Sequence, residues 1–308
     1  MITCFDIGGS SIKVAVAHSP DKVVAGRTLP TPLHDFEAFV ATMQTLIADG
    51  PPAAHQLVSI SICGVVDPET GALKCANIPC IDGRTLDQDL EHRLGCVVLV
   101  ANDADCFTMA EAVAGAGRGH RVVFGAILGT GVGGGLVIDG TLLTGAGGYA
   151  GEWGHGPITA TQAGNPAVDV PRFACGCGQV GCVDAVGGAR GLERLHAHLH
   201  STTLRSTDIM AQWLNPQDAH HAQACQTMDC YVDLVAEPLA LVVNVVGASV
   251  IPVGGGLSNV KPLLSRLDSA VRARILRTTH APLVVPSQCT VEPGLIGAGI
   301  LGLNKAQA

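Results

Sequence analysis

Residues 2–6 form a short apolar run stopped by Gly8-Gly9, and residues 11–17 and 22–29 resume strand-like patterns. The spacing predicts a chain that opens as a β-meander. A helix follows: Asp35 is a suitable N-cap, and Phe36, Phe39, Val40, Met43, Leu46 and Ile47 share one face at 3–4 spacing. Gly50-Pro51-Pro52 stops it. Residues 57–63 and 96–100 read as buried strands and 105–116 as a helix. Strands that alternate with helices in this way imply a mostly parallel sheet covered on both faces. A second strand-turn-strand starts at Arg121 and repeats the character of the opening, so two related halves are expected. Residues 145–188 are irregular and rich in Gly and Cys. Helical patterns then run to Gly247, with a kink expected at Pro238, before a strand at 249–253, a turn at Gly254-Gly255-Gly256 and an amphipathic stretch at 261–276. The domain boundary is expected near Gly117–Gly119, and the tail from Asn304 is expected to fray.

Composition narrows the function. A chain of 308 residues has room for two domains, and 47% hydrophobic residues exclude disorder. The net charge of −8 and the two Trp, two Tyr and six Phe argue against a nucleic-acid partner. The most apolar later stretch, 239–253, is interrupted by Asn244, Gly247, Ser249 and Pro252, and reads as a buried helix and strand, with no membrane partner. The first residues show no basic region leading into an apolar stretch, so a cytoplasmic location with reduced thiols is expected. On that basis Cys4, Cys63, Cys96 and Cys106 read as small core residues.

Three glycine turns carry candidate chemistry. Asp6-Ile7-Gly8-Gly9-Ser10-Ser11 offers backbone amides and two hydroxyls to an anion, and Asp6 suits a hydrated Mg²⁺. Gly129-Thr130-Gly131-Val132-Gly133-Gly134-Gly135 and Gly254-Gly255-Gly256 are two further cradles. Each alone is an ordinary tight turn; three at the ends of three strands point to a nucleotide. No P-loop signature is present, and the Gly-x-Gly-x-x-Gly content near Gly129 sits between two strands, against a dinucleotide fold. Asn102-Asp103 follows a strand and precedes a helix. A carboxylate there is placed to accept a hydroxyl proton, and either residue is equally suited to cap the helix. Asp105 reads as a first-turn residue complementing the helix dipole. Cys175, Cys177 and Cys182 have the tight spacing of a zinc site, the alternative being a disulfide and one free thiol. His196, His198 and His200 read as surface residues; His196 and His200 share a helix face that can trap metal adventitiously.

Taken together, the stretches Asp6-Ile7-Gly8-Gly9, Asn102-Asp103, 128–155, the cysteine cluster and Gly254–Gly256 resemble the ROK family of sugar kinases, of the actin-like ATPase superfamily. The resemblance spans nearly the whole chain. It implies a two-domain α/β actin-like (ribonuclease H-like) fold, with ATP and sugar in a cleft between a domain of residues 1–118, joined by a C-terminal helix at 293–308, and a larger one of residues 119–292. It implies Asp103 as catalytic base, and Gly64, Asn77, Asn102, Glu152, His155 and Asp184 against the sugar. ATP would meet Asp6, Gly8, Gly9, Ser10, Ser11, Gly129, Thr130, Gly131, Gly133, Gly134, Gly255 and Gly256. His155 would be the fourth ligand of a structural Zn²⁺ held by Cys175, Cys177 and Cys182. Asp184 stands where the family usually has Glu, one methylene longer, and Ser11 where many relatives carry Lys or Asn. The implied activity is Mg²⁺- and ATP-dependent phosphorylation of the C6 hydroxyl of N-acetyl-D-glucosamine, with glucose, fructose, mannose and N-acetylmannosamine as alternatives, in a homodimer. A non-catalytic sugar sensor is a further alternative. A repressor would need about 80 residues of helix-turn-helix before the first turn, for which Asp6 leaves no room.

Overall fold

In the computed structural model the described residues are 1–51, 54–67, 69–289 and 292–307; Pro52 of the expected helix stop and the terminal Ala308 lie outside them. The opening meander is β1 (Ile2–Ile7), β2 (Ser11–Ser19) and β3 (Lys22–Pro30), followed by α1 (Phe36–Ala48). Asp35 caps α1 as expected, its side chain accepting from the Ala38 amide. Then come β4 (Leu57–Ile62), the short β5 (Val65–Val66) and β6 (Leu73–Lys74), α2 (Leu86–Leu94), β7 (Val97–Asn102) and α3 (Asp103–Ala114). The second half comprises β8 (Val122–Leu128), β9 (Val132–Ile138), β10 (Thr141–Leu142), β11 (Gln162–Ala163), β12 (Val168–Asp169), α4 (Asp184–Gly187), α5 (Ala189–His200), α6 (Ser206–Leu214), α7 (His221–Val246), β13 (Ile251–Gly254), α8 (Lys261–Arg272), β14 (Val284–Pro286) and α9 (Pro293–Gln307).

The two large sheets have the same plan. One runs β3-β2-β1-β4-β7 and the other β10-β9-β8-β13-β14. In each, a meander supplies three strands and two later strands add in parallel, β4 and β7 in the first, β13 and β14 in the second. This is the duplication expected from the two hairpins. The chain divides into unit 1 (residues 1–121, 135–151 and 288–308) and unit 2 (residues 122–134 and 152–287), the division passing through β9 between Gly134 and Gly135.

In unit 1, β1 and β4 are buried on both faces, as strands covered by helices must be. One core joins Phe5, Ile7 and Ile60 to Phe39 and Met43 of α1 and Leu90 of α2. Another joins Ile2, Cys4 and Ala15 to Cys106 of α3 and Leu295, Ala298 and Leu303 of α9. Phe39 is fully buried in the first core. Its replacement by Ala should cost ~3–5 kcal/mol, read as a lower urea midpoint with an unchanged slope.

Two expectations need correction. The helix expected from Asp105 starts at Asp103, because Asn102 is its cap: the Asn102 side chain accepts from the Ala104 amide. The helical pattern expected up to Gly247 is α7, which carries Pro238 within it and continues to Val246. Leu234, Val235, Leu239 and Ala240 around the proline are all buried, so packing of that face sustains the helix. His196 is buried, at 1% exposure, and is not a surface residue. Its Nδ1 meets Thr227 Oγ1 of α7 at 2.9 Å, and His200 Nε2 meets the same hydroxyl at 3.1 Å. Among the described residues, no metal-competent group includes this pair, and no helix is long and apolar enough to cross a membrane.

Candidate active site

The first glycine turn, in unit 1, is shaped by its own backbone: Gly8 N donates to Ser11 O at 3.0 Å, and Thr31 Oγ1 donates to Gly8 O at 2.6 Å. Asp6, at its start, accepts from Ser61 Oγ at 3.0 Å. Lys13 Nζ lies 3.7 Å from Asp6 and 2.7 Å from Glu292. Burial is the main effect on Asp6 and pushes its carboxyl above the usual range, against the pull of Ser61 and Lys13. Gly294 lies close to Asp6, leaving no room for a side chain there.

Asn102 and Asp103 sit where β7 passes into α3. Both side chains meet the Ala104 amide, at 2.8 Å for Asn102 Oδ1 and 2.9 Å for Asp103 Oδ1. Asn102 Nδ2 also donates to Gly64 O at 3.0 Å, which fixes its amide orientation and leaves one N–H for a ligand. Gly64 is packed against the Lys74 carbonyl of β6, and the Asn77 carbonyl lies against Gly9. Asn77 is exposed, and its amide donates to Cys63 Sγ at 3.5 Å. Cys63 is therefore not the core residue its apolar surroundings suggested. It is half-buried, and its thiol is pushed up to about 11 by burial first and the Asp103 charge next. Unit 1 thus gathers the first turn, Asn77, Gly64, Asn102 and Asp103. An apolar cavity of about 750 Å³ in the same unit touches Asn102 and Asp105, but Asp103 does not line it.

The second glycine turn, in unit 2, joins β8 to β9 and is clasped from several sides. Gly129 N donates to Gly131 O at 3.0 Å, and Ala189 N of α5 donates to Gly129 O at 2.8 Å. Trp153 Nε1 donates to Gly133 O at 2.8 Å. Asp184 Oδ1 accepts from Val132 N at 2.7 Å, and Gly131 is so close to that oxygen that no Cβ fits. Gly255, with φ of +86°, turns its backbone against Leu128 and Gly129, which requires glycine on both counts. Beside these turns opens a cavity of about 640 Å³. Gly129, Thr130 and Gly256 line one part of it, Met210, Leu214 and Leu257 give an apolar wall, and Ser206 and Thr207 add hydroxyls. An apolar slot beside glycine amides suits a planar base attached to a phosphate chain.

The cysteine cluster, also in unit 2, is drawn together around His155. The ligand atoms of His155, Cys175, Cys177 and Cys182 all lie within 4.8 Å of one another. Cys177 Sγ and Cys182 Sγ are 3.6 Å apart, and Cys175 Sγ and His155 Nδ1 are 3.7 Å apart. A tetrahedral zinc with legs of ~2.3 Å has edges of roughly 3.8 Å, so this donor set fits the ion. All four groups are side chains the sequence offered for it. The two sulfurs are also far beyond the ~2.05 Å of a disulfide, and every cysteine is free. The Gln179 amide is the main influence on Cys177 and lowers its thiol to about 7, so Cys177 ionises most readily toward a metal. His155 turns Nδ1 to the cluster and Nε2 toward Glu152, 3.8 Å away. Burial raises the Glu152 carboxyl, partly offset by His155.

Several residues of these sites had no signal in the sequence. Lys13 and Glu292 face Asp6 from positions 279 residues apart. Met210, Leu214, Leu257, Ser206 and Thr207, which line the second cavity, belong to no motif in the sequence. Cys63 could have been found only by its place beside Gly64.

The ROK family profile matches residues 2–305, and the chain belongs to that family. It is 33% identical over 301 residues to N-acetyl-D-glucosamine kinase of Pectobacterium atrosepticum, covering 97% of this chain and 98% of that one. It is 36% identical over 299 residues to N-acetylgalactosamine kinase AgaK of a Shewanella species, covering 96% and 95%. Its fold matches the crystal structure of the ROK hexokinase from Thermus thermophilus with a TM-score of 0.85 at 24% identity, over 99% of both chains. The α/β fold implied by the family resemblance is thus the fold of that enzyme.

Proposed function

We propose that the protein transfers the γ-phosphoryl group of ATP to the C6 hydroxyl of N-acetyl-D-glucosamine. The observation that carries this reading is Asp103, a carboxylate at the first position of α3 in a chain whose full-length relatives are N-acetylhexosamine kinases. In the proposed reaction Asp103 accepts the hydroxyl proton as the oxygen attacks phosphorus, and the bond to the ADP leaving oxygen breaks. Asn102 and Asn77 donate to sugar oxygens, and Glu152 accepts from a ring hydroxyl, with His155 Nε2 fixed beside it. The amides of the two glycine turns receive phosphate oxygens, and the Met210–Leu214 wall receives the base. Mg²⁺ bound with ATP supplies charge neutralisation, and Asp6 is the residue that would hold it. Cys175, Cys177, Cys182 and His155 would hold a zinc ion with protein ligands alone, and such an ion would be structural, steadying the segment that bears Glu152.

A second acceptor is favoured by a specific observation: the AgaK relative at 36% identity acts, by its name, on N-acetylgalactosamine. Steady-state kinetics with ATP over N-acetylglucosamine, N-acetylgalactosamine, N-acetylmannosamine, glucose, fructose and mannose tests the choice. N-acetylglucosamine should give the highest kcat/KM; a higher value for another sugar reassigns the substrate.

The raised carboxyl of Asp6 has a kinetic consequence. A carboxyl raised by burial takes up its proton at higher pH, and the protonated form does not hold Mg²⁺ as a carboxylate does. The acid limb of kcat/KM should therefore lie above the ordinary carboxylate value of about 4, and kcat/KM should fall as pH falls through it. A profile flat down to pH 4 would contradict the assignment.

A further inference from the structure

Asp184 follows Cys182 at the place where the resemblance implies a sugar-contacting carboxylate, and its geometry directs it elsewhere. Its Oδ1 accepts from Val132 N, at the end of the second glycine turn, at 2.7 Å. Its Oδ2 lies 3.7 Å from Cys175 Sγ, and its own amide donates to Gly154 O at 2.9 Å. One side chain and its backbone therefore join three segments: the 129–132 turn, the cysteine loop and the segment bearing Glu152 and His155. Gly131 is bare where Asp184 Oδ1 approaches, and Gly154 in turn packs within 2.9 Å of the Val132 carbonyl, measured from where a Cβ would stand. A carboxylate one methylene longer has to bend or withdraw to meet Val132 N, whereas Asp reaches it directly.

We propose that Asp184 is a positioning residue for the nucleotide: by holding Val132 N it fixes the 129–132 turn in the shape that receives phosphate, and it does not bind the sugar. This rests on the kinase reading above, in which that turn meets ATP. A charge-assisted hydrogen bond from a backbone amide to a carboxylate is one of the stronger single contacts a loop can have. Its loss frees the turn to rearrange, and a turn with several conformations binds phosphate more weakly because only one of them is competent.

Calorimetric titration of the full chain with Mg²⁺·ADP, and separately with N-acetylglucosamine, tests this. Asp184→Ala should weaken ADP binding by about 10-fold and leave sugar affinity within about twofold of the parent. Asp184→Asn keeps an acceptor oxygen for Val132 N and should hold ADP affinity within about threefold. Gly131→Ala, which forces a methyl onto Asp184 Oδ1, should imitate Asp184→Ala and serves if that variant does not fold. The inference is overturned if Asp184→Ala and Gly131→Ala bind ADP like the parent, or if sugar affinity falls as much as ADP affinity. A parent protein that binds no ADP would instead refute the kinase reading itself.

Discussion

Replacing Asp103 by Asn should lower kcat by about 10²–10⁴-fold while N-acetylglucosamine binds with nearly its original affinity. Asparagine keeps the shape, and its Oδ1 can still accept from the Ala104 amide, the contact Asp103 makes at 2.9 Å. The start of α3 is further secured by Asn102, so the fold should survive. What the variant loses is the capacity to take a proton. The two readings the sequence left open, base and helix cap, separate here. Asn102 Oδ1 meets the Ala104 amide at 2.8 Å as well, so the cap does not depend on Asp103 alone, and the variant keeps the cap contact while removing the base. If kcat stays within about threefold of the parent, Asp103 is not the base. Calorimetry with the sugar alone guards against a binding defect passing for a catalytic one.

The second large effect should come from the cysteine cluster. Protein purified without a metal-affinity step should carry about one zinc per chain. Cys175→Ser and Cys177→Ser should each lose it. Removing a ligand from a closed site leaves a loop of glycines and polar groups without its tie, a cost on the order of 3 kcal/mol. In a chain of this size that lowers Tm by roughly 5–10 °C. Because the cluster holds His155, whose Nε2 lies 3.8 Å from Glu152, the sugar KM should rise along with the loss of stability. Active, reduced parent protein without zinc, or a serine variant with unaltered Tm, would show that the cluster does not hold the ion.

Much of this was legible in the sequence because the elements involved are local. The α1 register followed from apolar spacing, and the glycine turns followed from glycine runs between strands. The cysteine cluster followed from three thiols within eight positions, though the part played by His155 came from family resemblance and its ring orientation only from the fold. What stayed hidden is chiefly long-range or depends on a single bond. Lys13 pairs with Glu292 at 2.7 Å across most of the chain. Asp184 meets Val132 at 2.7 Å across 52 residues, and whether its carboxylate faces a sugar or a backbone amide turns on one methylene. His196 was misread because a histidine next to two others looks like a solvated spot. Thr227, arriving from α7, gives its Nδ1 a partner and makes burial tolerable.

Phosphoryl transfer from ATP to one particular hydroxyl can be read from the product itself, by phosphorus NMR of what forms from ATP, Mg²⁺ and N-acetylglucosamine. A new phosphomonoester should appear whose phosphorus couples to the two C6 protons of the sugar, accumulating mole for mole with ADP. Phosphate attached at the anomeric carbon, or ADP appearing with inorganic phosphate and no sugar ester, would contradict it.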